Sequence, residues 1–235
     1  MRSSILQVLA PASLLLSGSL AAAKSILFTG ATIIGFDNAT ESLQITRDGS
    51  LLVTNDRIVG IYPRPPPVTS DTETVDARGK IISPGFIDTH RHGWQTGFKT
   101  IASNTSLVEY FGRYGEFAVA GLLTPEDVYI GQLAGLYEAL AAGVTTTLDH
   151  AHHTWSNATA EAGLQASIDS GARVFWSYAF HNVTNYTTTE QIAHFRALAT
   201  KGSYKGTRTS LGLAYDSFGP DPNVAEVNKL LGLVK

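Results

Sequence analysis

The fold of this chain is decided by residues 84–92, with the sequence PGFIDTHRH. An apolar run that starts at Ile81 breaks at the Pro-Gly pair, resumes as Phe-Ile and ends in His-x-His. Residues two apart in an extended strand point to the same face, so His90 and His92 are expected to present their imidazoles side by side. Two neutral imidazoles at this spacing form half of a site for Zn²⁺ or another divalent ion. The alternative is two polar residues at a strand end, and the flanking chain decides between them.

The composition is that of a globular protein. The chain has 235 residues, a formal net charge of −3 and 43% hydrophobic residues, which suits one or two domains with a core. Lys and Arg together number 17 against 20 Asp and Glu, and no basic run occurs, so we expect no nucleic-acid partner. Because there is no Cys, no disulfide framework contributes to stability.

Residues 1–23 have the pattern of a secretory signal peptide. Arg2 gives a positive start, residues 5–20 are mostly apolar, and an Ala triplet at 21–23 offers a cleavage site. The apolar stretch is short and broken by Ser, so an uncleaved membrane anchor is the less favoured alternative. Five of the eight Asn stand in Asn-x-Ser/Thr sequons, more than chance placement gives: Asn38, Asn104, Asn157, Asn182 and Asn185. We therefore expect a secreted, N-glycosylated protein with no membrane span after signal cleavage.

Two regions of different pattern follow the leader. Residues 24–80 contain short runs rich in Ile, Phe, Val and Thr, separated by turn sequences, and predict a small, incomplete β-sandwich module. From residue 81 onward, strands alternate with helices. Strands are predicted at 144–149, 173–180 and 209–215, and helices at 158–169, 189–200 and from 221 onward. This alternation is typical of βα units around a parallel sheet.

Two segments between the first and second predicted strands of this region are informative. The sequence TPED at 124–127 combines an N-cap Thr, a Pro at the first helical position and a capping-box acid, so a helix starts there. Gly143 ends that helix. Residues 93–121 form a long connection with a predicted helix at 107–120, and this connection is either a pocket wall or a surface insertion.

The order of these patterns resembles the amidohydrolase superfamily. The resemblance rests on two motifs, VDAxGK at 75–80 and PGFIDTHxH at 84–92, which follow each other closely in the chain. The following WQT at 94–96 and TPEDVY at 124–129 resemble the chlorohydrolase and aromatic-deaminase branch, which includes cytosine-deaminase-like and triazine-hydrolase-like enzymes. The resemblance covers about residues 26–215. It implies a (β/α)₈ TIM-like barrel with its active site at the carboxyl ends of the strands, of which residues 81–235 would be the N-terminal half, about four βα units.

The resemblance also implies a chemistry and roles for residues. One divalent metal, Zn or Fe, would be held by His90 and His92 and would activate water to hydrolyse a non-peptide C–N bond of a small, heterocyclic substrate. Trp94 and Gln95 would line the substrate pocket, or simply pack, and His152 would contact the substrate. Asp149 is expected to hold a loop or orient an imidazole. His194, in the middle of a predicted helix, is expected at the surface.

The roles of catalytic acid and base and of the remaining metal ligands fall on later strands in the family. No catalytic residue is therefore assigned in this sequence. We expect the chain to correspond to the N-terminal half of such an enzyme. The full-length form could associate into homo-oligomers. The alternative is a non-catalytic secreted remnant of an amidohydrolase. A glycan-binding or structural β protein is disfavoured because six of the seven His fall at predicted strand ends in the βα region.

Overall fold

The computed structural model describes residues 24–234. The predicted signal peptide at residues 1–23 lies outside the described residues. The described chain falls into two compact units, the first ending at Pro84 and the second beginning at Gly85. No helix of the described part is long and apolar enough to cross a membrane.

The first unit is a single sheet of five strands built around one long strand. The strands are β1 (Ser25–Asp37), β2 (Ser42–Thr54), β3 (Arg57–Tyr62), β4 (Glu73–Asp76) and β5 (Ile81–Ile82). β1 pairs antiparallel with β2 and parallel with β4 and β5, and β3 joins the far side of β2. The sequence of this region predicts two strands, at 43–46 and 50–53, separated by the Asp-Gly pair at 48–49, whereas β2 is continuous. Gly49 pairs with Ala31 at a shift in register, so the ladder bends there without ending.

The second unit is a parallel sheet with helices in its connections. The strands run in the order β6 (Phe86–Arg91), β7 (Val144–Ala151), β8 (Arg173–Phe180) and β9 (Thr209–Tyr215), and all neighbours are parallel. A 3₁₀ turn (Gly93–Phe98) follows β6, and the helices are α1 (Leu107–Arg113), α2 (Glu116–Val119), α3 (Pro125–Ala141), α4 (Asn157–Asp169), α5 (Thr188–Lys201) and α6 (Val224–Leu231). The predicted α/β class with about four βα units is confirmed.

Local sequence explains where the helices start and stop. Thr124 caps α3 by accepting from the backbone of Asp127, whose carboxylate bonds back to the Thr124 backbone. Gly143, just past α3, adopts a φ of 85°, which favours glycine. The single helix predicted at 107–120 is wrong: Gly115 is extended and splits it into α1 and α2. This break turns the start of α2 toward the carboxyl ends of the strands.

One face of the parallel sheet carries the core of this unit. Alternate residues of β8, including Trp176, Tyr178 and Phe180, are buried against side chains of α4 and α5. On the opposite face, Leu148 and Phe175 pair across β7 and β8 and are 41% and 47% exposed. Side chains on the core side therefore fix the sheet, while the carboxyl ends of the four strands remain free to carry polar groups.

His194 lies in this core, so its predicted surface position is wrong. It is 6% exposed, and its ring packs 5.9 Å from that of Tyr178. On α5 it lies beside Gln191, Phe195 and Leu198, all buried, so it belongs to the sheet-facing side of the helix. Glu161 accepts from its outer nitrogen at 3.4 Å, which lets the polar ring remain in the core.

Candidate metal centre

A pair of imidazoles stands at the carboxyl end of β6. The Nε2 atoms of His90 and His92 lie 3.2 Å apart, and the ring centroids are 4.8 Å apart. Two nitrogens bound to one tetrahedral zinc at the usual Zn–N distance lie about 3.3 Å from each other. The spacing of the two rings therefore fits a single shared ion.

A backbone carbonyl fixes the tautomer of His92. Its Nδ1 lies 2.9 Å from the carbonyl oxygen of His150. Since a carbonyl only accepts, Nδ1 carries the hydrogen and Nε2 keeps its lone pair. Burial lowers the pKa of His92, which favours the neutral ring. A neutral imidazole with its second nitrogen tied to a carbonyl is the form in which His binds metals.

The two imidazoles open into a cavity of about 400 Å³. The cavity is lined by His90, His92, Tyr110, Phe111, Gly115, Glu116, Phe117, His150, His152 and Asp216. Five of these residues belong to the long connection at 93–121, so the pocket-wall alternative for this connection is confirmed. Sequence reasoning missed Glu116. Its only sequence signal is an acid in the first turn of a helix, which is as common for capping as for function.

Glu116 lies between His152, which lines the cavity, and His181. Its Oε1 is 3.4 Å from Nδ1 of His181, and its Oε2 is 3.3 Å from Nδ1 of His152. Thr154 donates its hydroxyl to the carbonyl of Ala179, so it accepts from Nε2 of His181 at 3.1 Å. Nε2 of His181 is thus a donor, and the Glu116 carboxyl group lies against its other ring nitrogen. Glu116 therefore bridges two imidazoles beside the cavity.

His152 is held in place by two aromatic neighbours. The indole Nε1 of Trp94 donates to its Nδ1 at 3.0 Å. Its ring stacks on that of His92, with centroids 3.9 Å apart and planes 22° apart. Desolvation, reinforced by the other histidines, lowers the pKa of His152 far below its ordinary value. The ring is therefore neutral and lies against one of the two candidate ligands.

The structure separates Trp94 and Gln95 from the wall of this cavity. Of the two alternatives for Trp94, pocket lining and packing, the structure shows packing: the side chain is 2% exposed and lies behind His152, because the 3₁₀ turn after β6 carries it into the core. Gln95 donates its amide to the hydroxyl of Tyr110 at 2.7 Å and so braces the cavity wall. It lines a separate, more open groove that also reaches His90 and His92.

Asp149 holds the turn that follows the His pair, as the sequence predicts. It is fully buried, and it accepts from the backbone nitrogen of Gly93 at 3.1 Å and from Nε2 of Gln132 at 2.6 Å. Burial raises the pKa of this carboxyl to about 6. Its role is to fix the backbone directly after His92.

The two other histidines near the end of β7 differ in their surroundings. His150 lines the cavity, and its Nε2 lies 2.8 Å from Oδ2 of Asp216, which follows β9. His153 points instead into the layer between β8 and α4, where it is fully buried beside Trp176 and Gly163. Burial lowers the pKa of His153 to about 3. His153 is therefore part of the core, although its sequence position is at a strand end.

Comparison with known proteins places this arrangement in a family. The model of the amidohydrolase family matches residues 81–214, more than half of the chain.

The chain belongs to the amidohydrolase family.

Curated relatives of this amidohydrolase chain include two deaminases. It is 35% identical over 125 residues to the 5'-deoxyadenosine deaminase of Methanobrevibacter smithii, a match that covers 52% of the chain and 28% of that enzyme. It is 32% identical over 152 residues to the 5-methylthioadenosine/S-adenosylhomocysteine deaminase of Thermococcus kodakarensis, covering 64% and 33%. The chain thus matches about a third of the length of these relatives.

Solved structures of amidohydrolase enzymes share the fold. The guanine deaminase of C. acetobutylicum superposes with a TM-score of 0.72 at 18% identity, covering 90% of this chain and 50% of that one. A mutant atrazine chlorohydrolase of Arthrobacter aurescens, solved with zinc and atraton, gives 0.71 at 19% identity, covering 89% and 50%. These likenesses confirm the barrel fold, of which this chain spans half.

The amidohydrolase site of the described residues is a half site for a metal. Between residues 24 and 234, no group of three or more His, Cys, Asp or Glu side chains is arranged to hold one ion. His90 and His92 offer two suitable nitrogens, and a catalytic zinc site ordinarily has three protein ligands. The residues present therefore fit a metal in donor type and spacing, with room for further ligands.

Proposed function

We propose that this chain builds part of the active site of a metal-dependent hydrolase that cleaves a non-peptide C–N bond of a small heterocyclic substrate. The observation that carries the proposal is the pair of Nε2 atoms 3.2 Å apart at the mouth of the cavity. Family membership and the deaminase names of the relatives support the reaction class. The guanine and triazine enzymes with the same fold support a planar nitrogen heterocycle as substrate.

A divalent ion, zinc or iron, would be held by Nε2 of His90 and of His92, and it would supply activation of water near neutral pH. The carbonyl of His150 keeps His92 in the tautomer that exposes Nε2. Asp149 fixes the backbone after His92 through Gly93. These contacts hold His92 in the position and tautomer that place its Nε2 beside that of His90.

The cavity wall would bind the substrate. Tyr110, Phe111 and Phe117 offer flat aromatic surfaces that suit a planar ring. Replacement of an amino group by water releases ammonia, and the departing nitrogen has to gain a proton. The Glu116 carboxyl group lines the same cavity and would donate that proton as a general acid.

A second candidate is a non-catalytic remnant that binds a ligand in the cavity. The observation in its favour is that the described residues offer two metal ligands and no third. For either candidate we propose a secreted and N-glycosylated protein, and the exposure of all five sequon Asn side chains supports this proposal.

Zinc binding and ammonia release test the proposal in turn. Zinc affinity is measured by competition with a chromophoric chelator for the chain, for His90→Ala and for His92→Ala. His194→Gln serves as the control, since His194 lies in the core away from the cavity. We expect one zinc per chain, bound weakly because only two ligands are present, and loss of binding in both Ala variants but not in the control.

Ammonia release is then assayed on adenosine-, guanine-, cytosine- and triazine-type compounds. Turnover that His92→Ala abolishes establishes the hydrolase. Zinc binding without turnover favours the remnant. A wild-type chain that binds no zinc, or variants that bind it as well as wild type, contradicts the proposed metal site.

A further inference from the structure

The hydrogen bond from Trp94 determines which nitrogen of His152 carries the hydrogen. An indole N–H can donate but not accept. Nε1 of Trp94 lies 3.0 Å from Nδ1 of His152, so Nδ1 accepts and the hydrogen of the neutral ring is on Nε2. Protonation of Nδ1 would place two hydrogens against each other at this distance. The geometry therefore excludes the Nδ1–H tautomer and the imidazolium while the bond is intact.

Packing keeps the donor in place. Trp94 is 2% exposed, and its ring meets those of Trp155 and Phe98 edge to face at 5.1 and 5.7 Å. On its other side, His152 stacks on His92. Neither ring can turn over without disturbing this stack, so the tautomer is set by rigid neighbours and not by solvent.

The remaining nitrogen of His152 is left for a ligand. Glu116 also approaches Nδ1, at 3.3 Å. An ionised carboxylate has no hydrogen to donate, and the one lone pair of Nδ1 already accepts from Trp94, so this contact does not change the tautomer. Within residues 24–234, the hydrogen bonds of His152 engage Nδ1 and leave Nε2–H without a protein acceptor. His152 lines the cavity, and its Nε2 is not among the buried polar atoms of the described residues that are sealed from solvent, so this N–H is open to a ligand in the cavity.

We propose that Trp94 is a positioning residue that makes His152 a permanent hydrogen-bond donor, so that the cavity selects ligands with an unprotonated ring nitrogen or a carbonyl oxygen. The choice of ligand class rests on the proposed function. The tautomer of His152 does not, because it follows from the Trp94 contact alone.

The first experiment reads the tautomer directly. In the chain labelled with ¹⁵N in His, two-bond proton–nitrogen spectra distinguish the two neutral tautomers and the imidazolium. We expect His152 to show only the Nε2–H pattern from about pH 6 to 9. Trp94→Phe keeps an aromatic ring and removes the donor, so the pattern should change to a mixture of tautomers.

Trp155→Phe is the matched control. It makes the same substitution in a ring that touches Trp94, and Nε1 of Trp155 has no hydrogen-bond partner in the described part of the chain. It should leave His152 unchanged. A wild-type Nδ1–H tautomer, or an Nε2–H pattern that survives Trp94→Phe, overturns the proposal. If Trp94→Phe does not fold, a nitrogen–nitrogen coupling across the Trp94–His152 bond in wild type decides, and its absence overturns the proposal.

The second experiment tests selectivity with two probes. Cytosine carries a ring nitrogen and a carbonyl as acceptors, whereas aniline carries an aromatic amine without either. We expect cytosine to shift the His152 Nε2–H signal, and its preference over aniline to fall about 3- to 10-fold in Trp94→Phe, the contribution of one neutral hydrogen bond. If cytosine does not bind, or if its preference over aniline is unchanged in Trp94→Phe, the proposed ligand selectivity is wrong. The role of Trp94 in setting the tautomer of His152 is decided separately by the first experiment.

Discussion

Replacement of Asp149 tests how the metal centre is anchored. In Asp149→Ala, the backbone N–H of Gly93 loses its partner, and Nε2 of Gln132 keeps only Ser167, 3.0 Å away. Each buried donor left unpaired costs about 1–3 kcal/mol, so we expect the free energy of unfolding to fall by about 2–4 kcal/mol. Asp149→Asn keeps one acceptor for Gly93, but its amide faces that of Gln132. Rotation of Gln132 would relieve this at the loss of the Ser167 bond, a cost of about 1 kcal/mol.

The difference in free energy of unfolding between wild type and Asp149→Asn should also depend on pH, which gives a second, independent test. Burial raises the pKa of Asp149 from its ordinary 3.8 to about 6, so the folded chain holds this proton to higher pH than the unfolded chain. The stabilisation from the group is complete below about pH 4 and is lost as pH rises through about 6. Two pKa units correspond to about 3 kcal/mol. The stability advantage of wild type over Asp149→Asn should therefore shrink by about 2 kcal/mol between pH 4 and 6, and the remainder is lost outside that window.

The assay is urea unfolding at four pH values between about 4 and 7, followed by circular dichroism and by tryptophan emission. Asp169→Asn is the control, because it makes the same change in an exposed side chain. It measures what the same substitution does to stability at the surface of the protein. A difference between wild type and Asp149→Asn that stays constant or grows with pH would refute the reasoning, since it would mean that Gly93 and Gln132 stabilise the carboxylate more than burial penalises it.

Three further predictions concern packing, capping and modification. Gly163→Ala should lower the free energy of unfolding by about 1–3 kcal/mol in urea titrations, because an added Cβ would overlap the buried ring of His153; Gly97→Ala, with open space around it, should cost far less. Thr124→Ala should cost about 1 kcal/mol in the same titration through loss of the cap of α3, and no loss would contradict the capping role. Expression in a eukaryotic host should give secreted protein whose mass falls on enzymatic removal of N-glycans; an unchanged mass would contradict the sequon interpretation.

Elements with strong local signals could be predicted from the sequence almost to the residue. β8 and β9 match their predicted bounds because β-branched and aromatic residues are bracketed by turn sequences, and α3 starts at the predicted Thr124. The side-by-side placement of His90 and His92 follows from strand geometry alone. In each case the information lies within a few residues of the feature.

Features that depend on contacts between distant segments could not be predicted. The inward orientation of Glu116 depends on the break at Gly115. It also depends on His152 and His181, which follow Glu116 by 36 and 65 residues. The burial of His153 depends on the absence of a side chain at Gly163 on the facing helix. Trp94 is adjacent to the metal motif in sequence, yet the 3₁₀ turn sends it behind His152. Local patterns contain no record of such partners.

The three tryptophans of the chain, Trp94, Trp155 and Trp176, are all buried, and all belong to the unit that begins at Gly85. Their emission is therefore a reporter of one unit only. Melting of the five-stranded sheet is followed by the circular dichroism of its strands, whereas tryptophan emission follows the unit that carries the three rings. A denaturation curve with two probes can thus resolve two separate transitions, and a single-probe curve would assign to the whole chain a stability that belongs to the half-barrel alone.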